Sequence, residues 1–85
     1  MPKRRKAGRT SLYERPSYRE LCDTLAANLR SLREEYEWSQ EEAAHNCDMS
    51  TRLYQSLEAG TTNATLVTLA RLSDGFGVAV KELVP

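Results

Sequence analysis

Lys3, Arg4, Arg5, Lys6 and Arg9 crowd five cations into the opening of the chain. With Arg15 and Arg19 they face one acid, Glu14, so residues 1–19 carry a net charge of +6. Such a run can lie along an anionic polymer, where each phosphate contact releases a counterion. The remainder is the reverse. Five basic against eleven acidic residues give residues 20–85 a net charge of −6, so the formal zero of the 85-residue chain conceals a basic arm on an acidic body. Pro2, Gly8 and Pro16 punctuate the arm, and few aliphatic residues fill it. It holds too little apolar surface to offset its ordering entropy, so residues 1–17 are expected to be a flexible, disordered arm.

Other chemistry is scarce. Cys22 and Cys47 belong to no CxxC pair and His45 is the single histidine, so neither a metal site nor a cofactor is expected. Two reduced, buried thiols are the expected state, with a disulfide left open. No nucleophile–base pair, carboxylate dyad or phosphate-cradling glycine loop is present, so the chain is not expected to be an enzyme. No run approaches the ~20 apolar residues of a membrane span. The opening Met-Pro-Lys-Arg-Arg-Lys has a signal peptide's charge without its apolar stretch, which predicts a cytoplasmic protein.

The elements that must position any site are helical. Leu21, Leu25, Leu29 and Leu32 recur at spacings of four, four and three, one face of an amphipathic helix over about Tyr18–Tyr36. Ser17 with Glu20 reads as its capping box. Ser39 with Glu42 reads as a second capping box, opening a helix that runs through Cys47. Asp48-Met49-Ser50 is a turn, and Ser50 can cap a third helix from Thr51 to about Ala59, stopped by Gly60. Thr65 starts a fourth helix with Leu66, Leu69 and Leu72 on one face, which Gly75 and Gly77 end or loosen. Val78–Val84 reads as a short fifth helix. The expected architecture is all-α, five short helices in one domain over residues 18–85.

Two short helices joined by a three-residue turn, 40–47 and 51–59, form a helix-turn-helix candidate. Residues from about Leu21 to Val84 resemble the lambda-repressor-like and Cro-like helix-turn-helix family, the XRE family. Ser39-Gln40, the small Ala44, Met49-Ser50, Leu57-Glu58-x-Gly60 and Phe76-Gly77-Val78 follow the family's order and spacing. The chain departs from the pattern at Asp48 (usually glycine), at Tyr54 (usually Ile or Val, and needing a hydroxyl partner) and at Ala64 (often proline).

The resemblance implies roles. Ala44 would sit where the two helices cross, and Met49, Tyr54 and Leu57 would anchor the third helix. Gln40 would touch the DNA backbone and brace the recognition helix. The third helix would lie in the major groove, offering Thr51, Arg52 and Ser56 to base edges, with Gln55 at the margin. Arg52 suits guanine and Gln55 suits adenine. Asn63 would touch phosphate, and Arg33 with Glu58 would form a partly buried structural ion pair. Lys3, Arg4, Arg5, Lys6 and Arg9 would wrap the duplex or enter a minor groove.

The function implied is a sequence-specific, double-stranded DNA-binding transcriptional regulator, a repressor or autoregulator. Stand-alone regulators of this kind include restriction-modification controllers, phage repressors and antitoxins. A homodimer is expected, with its seam in the C-terminal segment at Val78, Val80, Leu83 and Val84. The alternative is a protein-interaction module that uses the acidic face of the scaffold to bind a partner such as a toxin or sigma factor.

Overall fold

The computed structural model describes residues 12–85. The arm cations Lys3, Arg4, Arg5, Lys6 and Arg9, and the disorder expected of them, lie outside the described residues. Among the described residues there is no strand. Four α-helices follow one another: α1 (Pro16–Glu35), α2 (Gln40–Asn46), α3 (Thr51–Ala59) and α4 (Leu66–Phe76). Single 3-10 turns stand at Leu12–Glu14 and Val80–Glu82.

The start of α1 differs from the expectation. Pro16 occupies the first turn, where its fixed φ and missing N–H are tolerated, and Arg15 caps the helix without a side-chain bond. Ser17 therefore lies inside the helix, and the Ser17–Glu20 capping box does not form. The turn at Leu12–Glu14 and the first residues of α1 fall within the span expected to be an arm. Tyr13 packs edge-on against Tyr18 there, with ring centroids 5.3 Å apart.

The other caps follow the chain. Ser39 Oγ accepts from the Glu42 N–H, and the Glu42 carboxylate accepts from the Ser39 N–H, closing a capping box on α2. Ser50 and Thr65 cap α3 and α4 through one bond each, their hydroxyl oxygens accepting from the N–H groups of Leu53 and Thr68. Asp48 adopts the left-handed conformation, φ 56°, that the tight turn between α2 and α3 requires. Aspartate can occupy it in place of glycine because its short polar side chain tolerates that region.

The core takes Leu25 and Leu29 from α1, Ala43 and Ala44 from α2, Tyr54 and Leu57 from α3, and Leu72 and Phe76 from α4. Cys47 and Leu83 complete it, and Met49 packs against it half-buried. Two ends of the expected apolar stripes drop out. Leu21 is 55% exposed and Leu66 is 84% exposed. The buried stripe of α1 is instead Cys22, Leu25, Ala26 and Leu29, because 3.6 residues per turn carries Leu21 off the packed face.

The expected fifth helix is a single 3-10 turn, Val80–Glu82. Seven residues carrying three valines cannot repay helix nucleation, since β-branched side chains lose rotamer freedom in a helix. Gly75 is also not a helix end: α4 runs through it and stops at Gly77, whose φ is +71°. Gly75 makes room. A Cβ there would collide with Cys47 Sγ and stand 2.7 Å from Cys47 Cα, so its absence lets α4 rest on the end of α2.

Candidate nucleic-acid interface

Glu58, 4% exposed, is the centre of the helix-turn-helix unit. It sits in the last turn of α3, one helical turn after Tyr54. From α1, Arg33 donates through Nε to Glu58 Oε2 at 2.5 Å and through Nη2 to Oε1 at 3.1 Å. Arg33 Nη1 also donates to the Trp38 carbonyl at 3.1 Å, tying the α1–α2 connection into the same group. The Tyr54 hydroxyl donates to Glu58 Oε2 at 2.6 Å, and Gln40 Nε2 at the start of α2 donates to Oε1 at 3.1 Å. Arg30 caps the Glu58 carbonyl at 2.6 Å. One carboxylate therefore holds three helices at a fixed angle.

The electrostatics follow from this geometry. Burial alone would raise the Glu58 pKa, but hydrogen bonds from Arg33, Tyr54 and Gln40 outweigh it and hold the group below its ordinary value. Tyr54 is pushed in the other direction, first by burial and then by its bond to Glu58, so it stays a donor. Arg33 is held charged by Glu58 against its own desolvation.

The opposite face of α3 is open. Arg52 and Gln55 are exposed, and Thr51 and Ser56 are half-buried. Thr51, Arg52 and Gln55 share a face, since residues three and four apart are neighbours on a helix. Ser56 Oγ donates to the Arg52 carbonyl at 3.1 Å within the helix. Gln55 Nε2 donates to Gln40 Oε1 at 3.2 Å, so Gln40 touches both the buried hub and the exposed face. Asn63 is exposed in the loop after α3. That loop, Gly60 to Asn63, lines a concavity of about 320 Å³ together with Tyr13, Tyr18 and Arg19. The described start of the chain thus lies beside Asn63.

The structure places the expected C-terminal seam residues unequally. Val80 is exposed, and Val78 and Val84 are half-buried. Leu83 is fully buried, and its carbonyl accepts from Asn28 Nδ2 at 2.8 Å. Leu83 is therefore core and does not belong to a seam. Among the described residues no His, Cys, Asp and Glu group could hold a metal ion, and Cys22 and Cys47 are buried free thiols. No helix among them is long and apolar enough to cross a membrane.

Several residues of this arrangement went unassigned from the sequence. Tyr54 and Gln40 as partners of Glu58, Arg30 as its carbonyl cap and Arg19 beside Asn63 are seen only in the fold. A signal existed for two of them. Tyr54 stands four residues before Glu58, and Arg30 stands three residues before Arg33, so each pair shares a helix face.

A family model described as helix-turn-helix matches residues 29–83. The chain is similar to Control protein C.MunI of Mycoplasma sp, 39% identical over 56 residues, spanning 65% of this chain and 76% of the relative. It is also similar to a Neisseria hypothetical transcription factor from Neisseria meningitidis serogroup B (strain ATCC BAA-335 / MC58). That match is 31% identical over 70 residues, 82% of this chain and 66% of the relative. A crystal structure of the hypothetical transcription factor NHTF from Neisseria superposes with a TM-score of 0.75 at 30% identity, covering 85% of this chain and 83% of that one.

Proposed function

We propose that this chain, which belongs to the XRE-type helix-turn-helix family, is a sequence-specific DNA-binding regulator of transcription that represses or autoregulates. The observation that carries this reading is the two-sided α3. Its buried side is anchored through Glu58 to α1 and α2, while Arg52 and Gln55 stand on the face left open, with Thr51 half-buried at its edge. A helix held in this way can enter a major groove with its N-terminal half against base edges. Arg52 offers a guanidinium fork for guanine O6 and N7. Thr51 and Ser56 are short contacts beside it, and Asn63 and Gln40 bear on the phosphates. A relative named as a control protein and another named as a transcription factor support regulation over an antitoxin role.

The acidic body needs help near phosphate, and the arm supplies it. Residues Lys3, Arg4, Arg5, Lys6 and Arg9 follow the backbone or a minor groove. The position of Tyr13 and Arg19 beside the Asn63 loop supports this, because the chain enters next to a phosphate-facing segment. The protein acts as a homodimer on an inverted repeat, with Val80, Val78 and Val84 in the seam and Leu83 behind them in the core.

In vitro selection from a random duplex library, with the full chain at about 100 mM salt, tests the reading. It should recover an inverted repeat whose half-sites are about 10 base pairs apart. If no sequence is enriched, the acidic face (net −6 over residues 20–85) makes a protein partner the better account.

A further inference from the structure

The hydrogen bonds around Glu58 run on to the open face of α3, and their direction is determined by charge. An ionised carboxylate only accepts. Gln40 must therefore turn its Nε2 toward Glu58, where it stands 3.1 Å from Oε1. That leaves Gln40 Oε1 facing Gln55. An amide oxygen also only accepts, so Gln55 must answer with Nε2, which lies 3.2 Å away. Turning Gln55 over would set oxygen against oxygen. Turning Gln40 over as well would set its oxygen against the buried carboxylate.

We propose that Glu58 acts as a positioning residue for base reading, setting the amide orientation of Gln55 through Gln40 so that Gln55 reads adenine. Gln55 has spent one amide hydrogen on Gln40. It keeps its carbonyl oxygen and one N–H for a ligand. Adenine in the major groove presents one donor, N6–H, and one acceptor, N7, and uses both. Guanine presents two acceptors, O6 and N7, which a single remaining N–H cannot match. Cytosine and thymine would each use half of what Gln55 offers. Gln55 is three residues after Arg52 and four after Thr51, so it faces the same groove. It becomes a principal reader here, and its orientation originates in a residue that never meets DNA. This inference rests on the DNA-reading function proposed above.

The test compares the affinities of the full chain for duplexes carrying each of the four bases at one position of the selected site. That position is the one whose preference disappears in Gln55→Ala. The wild type should prefer adenine there. Gln40→Ala should weaken every duplex by removing its own hold on phosphate and, in addition, flatten the adenine preference about tenfold, the discrimination of one bidentate pair. Preferences elsewhere in the site should persist. Gln55→Glu sets a carboxylate oxygen against Gln40 Oε1 and has no N–H for adenine N7, so the adenine preference should be lost. A Gln40→Ala chain that weakens all four bases equally overturns the relay, as does a wild type that prefers guanine, while DNA reading itself stands. A wild type that selects no sequence at all overturns DNA reading and the relay together.

Discussion

The two faces of α3 differ in what they can lose. On the inner face, Tyr54, Leu57 and Glu58 are buried, and Glu58 has partners on α1, α2 and α3. On the outer face, Arg52 is exposed, and among the described residues the Gln55 side chain is bonded only to Gln40. The inner face decides where the helix lies. The outer face decides what it meets. A regulator built in this way can change its target by outer substitutions at little cost in stability, whereas the inner face constrains nearly every atom.

The largest effect should come from the hub. Glu58→Ala leaves the Arg33 guanidinium and the Tyr54 hydroxyl without their acceptor, and it should cost about 3–5 kcal/mol in urea unfolding, the range for breaking one side of a buried pair. A loss near that of an exposed pair would show that the two faces do not differ. Gly75→Ala should come next. Its Cβ would stand 2.7 Å from Cys47 Cα, and overpacking of this kind costs about 1–3 kcal/mol. An unchanged midpoint would mean that α4 moves freely against α2.

Acid should separate the faces as well. Glu58 titrates below its ordinary 4.5 in the folded chain, so its contribution is complete above that value and is lost as pH falls through its lower folded pKa. Wild-type stability should therefore decline steeply below about pH 4.5. Glu58→Gln should be less stable at pH 6 and have the flatter acid limb. Equal slopes would remove Glu58 from the account.

The outer face should give the smallest change in stability. Arg52→Ala should alter the unfolding free energy by no more than about 0.5 kcal/mol, as exposed substitutions away from special features do. Deleting residues 1–11 should leave folding near wild type and act on binding. An arm that neutralises about four to six phosphates sets the size of the effect: without it, the salt dependence of DNA affinity should become shallower by roughly 3.5–5.5 log units per log unit of salt. An unchanged slope would discount the arm.

Local chemistry made most of the fold legible. Ser39 with Glu42, Ser50, Thr65 and Gly60 act through neighbours three or four residues away, so the boundaries of α2, α3 and α4 follow from spacing. Val78–Val84 looks helical from the spacing of its apolar residues, yet its short length and three valines hold it to a single 3-10 turn. Leu21 and Leu66 look like core residues in a helical repeat, yet among the described residues no element covers them. Gly75 looks like a helix end, yet its purpose is contact with Cys47, 28 residues away in the chain. The ion pair of Arg33 and Glu58 could be named from the family pattern. The full partnership of Glu58 could not, since Gln40 reaches it only after α2 has folded across α3.

The most direct measurement is the affinity of wild type and Arg52→Ala for the selected duplex and for a scrambled duplex of equal length and salt. Arg52→Ala should lose about 5- to 150-fold on the selected duplex, equivalent to about 1–3 kcal/mol, and little on the scrambled one. Equal losses on both would make Arg52 a phosphate contact. No loss on either would mean that the open face of α3 does not read DNA.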